Sequence, residues 1–152
     1  MSRKARYALR ALYALAADEA RGPVLIAELA EREKIPRKFL EAILLELKNA
    51  GVLRSKKGKG GGYALARPAE RITIGEVVRV IDGPLAPIPC ASERNFVRCE
   101  DCTDETTCGT RQVMKKVRDA IAAILDTTTL ADVRAQIARA QHSAAGSVTY
   151  SI

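Results

Sequence analysis

Four cysteines hold most of the chemical potential of this chain. Cys90, Cys99, Cys102 and Cys108 crowd into 19 of its 152 residues, spaced Cys-x8-Cys-x2-Cys-x5-Cys. No run of about 18 apolar residues marks a membrane span. The opening Met1-Ser2-Arg3-Lys4 leads into an amphipathic segment instead of a secretory signal. The expectation is a cytoplasmic protein without membrane association, where clustered thiols bind metal or sense redox state more often than they form structural disulfides. The one histidine, His142, lies near the C-terminal end. With no paired-carboxylate motif and no Gly-x4-Gly-Lys-Ser/Thr phosphate loop, an enzyme is not expected.

A second set of chemistry-bearing residues is basic. Lys plus Arg number 25 against 18 Asp plus Glu, a formal net charge of +7. Residues 1–62 hold 14 basic and 7 acidic side chains, so they carry that whole excess. Such asymmetry points to nucleic acid or another anionic surface. Hydrophobic residues at 47% and charged residues at 28% argue for a globular chain.

The elements that must position these groups follow from periodicity. Ser2 can cap a first helix whose Leu9, Leu12, Tyr13 and Ala16 form one apolar stripe. Arg21-Gly22-Pro23 breaks it, and a short helix with Ile26, Leu29 and Ala30 turned inward follows. Lys34-Ile35-Pro36 makes a turn, with Pro36 expected as the first residue of a third helix. That helix buries Leu40, Ile43, Leu44 and Leu47, exposes Arg37 and Lys38, and stops at Gly51. Two short helices around a tight turn form a helix-turn-helix pattern.

Val52-Leu53 and Tyr63-Ala64-Leu65 read as a hairpin around Ser55-Lys56-Lys57-Gly58-Lys59-Gly60-Gly61-Gly62. Lys56, Lys57 and Lys59 supply cationic charge, and glycines such as Gly61 let the backbone approach a phosphate closely. Behind a helix-turn-helix, such a hairpin is a wing. Thr73 and Glu76 fit a capping box for a fourth helix ended by Gly83. A proline-rich linker and the cysteine loop lead to a long helix from about Thr110, with Met114, Val117, Ile121 and Ile124 as an apolar seam. Pattern alone leaves its partner open between the same helix of a second subunit and another element of this chain. Thr129 with Asp132 opens a last helix, and the tail from His142 has no period. The expected class is mainly α with a small β-wing. The expected units are residues 1–83 as a winged helix-turn-helix DNA-binding domain and 84–109 as linker and cysteine loop. Residues 110–142 would be the dimerisation and C-terminal helices, and 143–152 a mobile tail.

Arg6-Tyr7-Ala8-Leu9, the stretch from Ile35 to Glu41, Lys57-Gly58-Lys59-Gly60-Gly61-Gly62-Tyr63 and Thr73-Ile74-Gly75-Glu76-Val77 together resemble one family. It is the Rrf-two family of winged-helix regulators, with IscR, NsrR and RirA among its members. The similarity covers about residues 2–140. It implies a homodimeric transcription factor, with repressor or activator left open, reading a palindromic promoter site in double-stranded DNA, commonly under control of an iron–sulfur cluster. By resemblance, Lys38, Phe39 and Glu41 face the major groove and Lys57 approaches the backbone or minor groove. Glu41 is suited to accept from a cytosine amino group, the lysines mostly position the protein on phosphates, and exposed Arg37 belongs to the same DNA-contacting set. In sequence Glu41 stands four residues from Leu45, an arrangement that offers it no ion pair.

For the cluster, the resemblance assigns Cys90, Cys102 and Cys108 as ligands, with Cys99 an extra thiol that either completes the site or is a spare. Two departures stand out. IscR-like proteins place a histidine where this chain has Arg111, and NsrR-like proteins place an acidic residue where it has Arg6. Cluster type, 2Fe–2S or 4Fe–4S, stays open. Two alternatives also stay open: zinc in a closed thiolate site, and a metal-free thiol redox switch.

Overall fold

A computed structural model describes residues 1–147 of the chain. Helix α1 (Arg3–Ala17) opens on Ser2, whose hydroxyl accepts the amide hydrogen of Ala5 at 3.0 Å, as the sequence predicts. It buries Ala8, Leu9, Leu12, Leu15 and Ala16 along one face. Helix α2 (Ile26–Glu33) ends at Lys34, which takes a left-handed conformation (φ 51). Helix α3 (Arg37–Asn49) buries Leu40, Ile43, Leu44 and Leu47, and the chain leaves it through left-handed Gly51 (φ 75). Pro36 sits one position earlier than expected. Its ψ of 125 makes it the residue before the helix, outside the first turn.

Strands β1 (Leu53–Lys56) and β2 (Gly62–Leu65) pair antiparallel, from Leu53 against Leu65 to Lys56 against Gly62. A bridge between Val24 and Tyr63 ties this wing back to the segment before α2. Gly62 makes that bridge possible. Its φ is 140, and a Cβ there would run into the Val24 carbonyl.

Helix α4 (Ile74–Asp82) starts as predicted on Thr73, whose Oγ1 accepts the Glu76 amide hydrogen at 3.2 Å. The reciprocal half of that capping box is absent, because the Glu76 carboxylate accepts from Arg67 Nη2 at 2.6 Å. The full box forms instead at α6, where Thr129 and Asp132 bond each other's amides. Residues 84–108 lack regular structure apart from one 3-10 turn, Pro89–Ala91.

Helix α5 (Gly109–Leu125) begins on Cys108 and packs on α4 and on that 3-10 turn. No residue of α5 is buried. Val113, Val117 and Ile124 are exposed, and Met114 and Ile121 are half-buried. The chain itself therefore leaves the predicted seam largely open. Helix α6 (Leu130–Ser147) contributes Leu130 to the core formed by α1–α4 and the wing. It runs past the expected boundary at residue 142, so His142 is helical and the first part of the expected tail is helix. Residues 148–152 lie outside the described residues. Among the described residues, no helix is long and apolar enough to cross a membrane.

Candidate nucleic-acid interface and cysteine loop

The first turns of α3 present Arg37, Lys38, Phe39 and Glu41, all exposed. Their backbone is held by the four leucine and isoleucine side chains on the opposite face of the helix. Arg37 Nε donates to Glu41 Oε1 at 3.1 Å. This corrects the sequence expectation for Glu41: its ion-pair partner is Arg37, four residues back, and not the apolar Leu45 four residues ahead. Glu41 is thus pre-oriented, and one of its acceptor oxygens, Oε1, is shared with a cation. Phe39 rests edge-on against Tyr7 of α1, ring centroids 5.7 Å apart at 82°. The guanidinium of Arg10 lies over the Tyr7 ring at 5.8 Å and donates to the Glu33 carbonyl. Tyr7 and Arg10 brace the surface from behind, a role legible only once α1 is packed beside α3.

In the wing, Lys56, Lys57 and Lys59 are exposed as expected. Gly61 is not. It is buried, its amide donates to the Gly58 carbonyl at 2.9 Å, and a Cβ would stand 2.5 Å from the Lys56 carbonyl oxygen. Its place is inside the loop closure, so it does not offer a surface to a ligand.

The cysteine loop is organised from α5. Arg111 Nε donates to the Cys90 carbonyl at 2.8 Å and its Nη1 to the Glu105 carbonyl at 3.2 Å. The same guanidinium lies over the Phe96 ring at 5.5 Å. Two turns on, Arg118 Nη1 donates to the Ala91 carbonyl at 2.6 Å and Nη2 pairs with Glu93 at 3.1 Å. Cys90 is buried, 4% exposed, in the 3-10 turn these arginines grip. Cys108 Sγ accepts the Arg111 amide hydrogen at 3.4 Å, as its position at the helix start predicts. Arg98 Nη2 donates to the carbonyl of Cys102 at 3.0 Å. Three donors to the Asp104 carboxylate, the Thr106 amide first, pull its pKa down to about 2 and fold the last part of the loop.

Cys99 is exposed, and its thiol donates to Cys90 Sγ at 3.6 Å. That bond, then desolvation and the negative charges of Cys90, Asp101 and Cys108, push the Cys99 thiol pKa up. The structure thus pairs Cys90 with Cys99, the thiol that has no counterpart in the three-cysteine ligand set. It does not gather Cys90, Cys102 and Cys108. Among the described residues, no three His, Cys, Asp or Glu side chains converge as metal ligands. The donor set, four thiols in one loop, has the chemistry an iron–sulfur cluster requires. The arrangement supplies two of them.

The Rrf2 family model, described as an iron-dependent transcriptional regulator, matches residues 1–136. The chain belongs to the Rrf2 family. This Rrf2 chain is 43% identical over 139 residues to an rrf2-like HTH-type protein of Rhodobacter capsulatus, covering 89% of this chain and 92% of the relative. Among solved structures it is similar to CymR (YrzC), the global cysteine regulator of B. subtilis, with TM-score 0.74 and 31% identity over 90% of this chain and 96% of the other. It is equally similar to T. potens IscR, with TM-score 0.74 and 30% identity over 93% and 90%. Rrf2 proteins are DNA-binding transcriptional regulators and not enzymes, which agrees with the winged helix and the absence of catalytic motifs. Sequence reasoning missed Arg111 and Arg118 as the residues that hold the Rrf2 chain's cysteine loop. Their spacing of seven, which puts both on one face of α5, is the signal that could have found them.

Proposed function

We propose that this Rrf2 protein is a homodimeric transcriptional regulator that reads a two-fold-symmetric DNA site and adjusts its affinity through an iron–sulfur cluster in the cysteine loop. The observation that carries the reading is the clamp of Arg111 and Arg118 on the loop. It joins the cysteines to α5, the helix whose Val117 and Ile124 stand exposed. A second copy covering that face would place two α3 helices at a fixed separation, as half-sites one helical turn apart require. Arg37, Lys38, Phe39 and Glu41 would meet the major groove, and Lys56, Lys57 and Lys59 the phosphates. Cys90, Cys102 and Cys108 would hold the cluster, with Cys99 beside Cys90 as a further thiolate. When bound, the cluster supplies a group that iron supply, oxidants or nitric oxide alter.

The similarity to T. potens IscR and the match of residues 1–136 to a family model described as iron-dependent favour iron over zinc. The test is anaerobic purification with iron and sulfide assay, absorbance spectra, and DNA binding by loaded and metal-free forms. A brown protein whose DNA affinity changes about 5- to 150-fold on cluster removal supports the reading. A colourless zinc-loaded protein, or equal affinities, overturns it.

A further inference from the structure

The Cys90–Cys99 contact stands apart from the ligand set that the cluster reading favours. It is the one pair of thiols among the described residues joined by a hydrogen bond. We infer that Cys90 and Cys99 are a reversible disulfide site, closed by a peroxide when the loop holds no metal and reopened by a thiol reductant. The inference goes beyond the cluster and does not depend on it.

Three features favour this pair over the others. The sulfurs are 3.6 Å apart, so a bond of about 2.0 Å needs an approach of about 1.6 Å. Cys90 is the fixed partner: its carbonyl is held by Arg111, its neighbour Ala91 by Arg118, and its side chain is buried. Cys99 is the moving partner, exposed on a stretch without helix or strand. Cys108 is committed to the start of α5 through the Arg111 amide, and the Cys102 backbone is held by Arg98.

The chemistry balances in two steps. The exposed Cys99 thiol releases its proton to solvent and its sulfur attacks hydrogen peroxide; the O–O bond breaks, hydroxide leaves and a sulfenic acid forms. The Cys90 sulfur, giving up its proton to solvent, then attacks the Cys99 sulfur. The S–O bond breaks and a second hydroxide leaves. Overall, two thiols are oxidised by two electrons, and one peroxide is reduced to two waters. Because both sulfurs are consumed, the cross-linked loop and a loop using Cys90 as a metal ligand exclude one another.

The test uses chelator-stripped full-length chain treated with hydrogen peroxide. Free thiols are counted by alkylation, and intact mass reports the loss of two hydrogens. Three variants each leave Cys90 one partner: C102S/C108S, C99S/C108S and C99S/C102S. Expected is closure at least about tenfold faster in C102S/C108S than in the other two, reversed by dithiothreitol, because proximity sets the rate. Wild-type protein supplies a check independent of the variants' folding. Trypsin separates residues 80–94, with Cys90, from 99–111, with the other three. Fragmentation of the linked peptides should place the bond on Cys99. Closure as fast through Cys102 or Cys108, a bond mapped to either, or oxidation that stops at sulfenic or sulfinic acid overturns the inference. A chain that never takes up iron would defeat the cluster reading and leave this result readable.

Discussion

The guanidinium of Arg79 on α4 closes on the carboxylate of Asp126, just past α5, through two hydrogen bonds of 2.5 and 2.9 Å. Gly75, one turn before Arg79, leaves room for it, since a Cβ there would collide with the Asp126 carboxylate. Two backbone bonds flank the contact, from Ile74 to the Thr128 carbonyl and from Leu130 to the Ile72 carbonyl. This junction connects α4 to the end of α5 and the start of α6.

Because it accepts from Arg79, Asp126 has its pKa lowered in the folded chain. A lowered carboxyl stabilises the fold above its unfolded value of about 3.9 and loses that contribution as pH falls through the folded value. Asp126→Asn should therefore cost about 0.2–1 kcal/mol at neutral pH, a range set by the pair's partial exposure. The gap to wild type should begin to narrow below about pH 4 and close as pH falls through the lower folded value. Urea titrations of both proteins at neutral and acidic pH measure it. A gap that persists at low pH assigns the cost to something other than the charge.

Arg118 is the firmer of the two loop anchors, its side chain only 12% exposed. Arg118→Ala leaves the Ala91 carbonyl and Glu93 without their donor, at a cost of about 1–3 kcal/mol. Amide hydrogen exchange across residues 90–98 should accelerate in this variant and in Arg111→Ala, with α1–α4 unchanged. Unaltered exchange in the loop would show that the arginines do not hold it.

The wing and α3 should separate in their salt response. Each phosphate neutralised contributes a slope of about −0.9 in log affinity against log salt. Alanine at Lys56, Lys57 and Lys59 together should weaken binding to every duplex and flatten that slope. Glu41→Ala should instead change base preference while releasing Arg37 from its ion pair. For that reason Arg37→Ala/Glu41→Ala is the cleaner comparison. An unchanged slope in the wing variant removes the wing from the interface.

Helix α5 should be the dimer contact. Ile124 is 65% exposed and Ile121 half-buried, so Ile121→Glu should disturb the isolated fold little while placing charge in the middle of the shared face. Sedimentation should find monomers, and binding to a two-half-site duplex should fall to the level of a single half-site. A full-affinity dimer from this variant would move the interface elsewhere.

Much of the architecture is determined by signals that act within a few residues. Ser2 and Thr73 cap helices because a hydroxyl reaches an amide three positions on, and Gly51 and Gly83 end them because they accept positive φ. The apolar spacing of α1 and α3 states which faces are buried, and the lysines of the hairpin state where the cationic surface lies. The Arg37–Glu41 pair is equally local, since residues four apart share one face of a helix. Helix α6 escaped its expected end because it is exposed there, and a solvated helix has no apolar period to read.

The tertiary structure alone decided how the cysteine loop is arranged. Cys90 meets Arg111 across 21 residues and Ala91 meets Arg118 across 27, through a segment with no periodicity to report its path. Which thiol stands beside Cys90 depends on that path, and equal chemistry at Cys99, Cys102 and Cys108 gives spacing no means of ranking them. Gly61 likewise turned inward because the hairpin loop closes on it, where only a residue without a Cβ fits beside the Lys56 and Gly58 carbonyls. Residue type and spacing thus specified the helices and the charge, because backbone capping and helical periodicity are short-range. The meeting of Cys90 with Cys99 needed the whole chain, because it is set by where α5 packs on α4 and on the turn that carries Cys90.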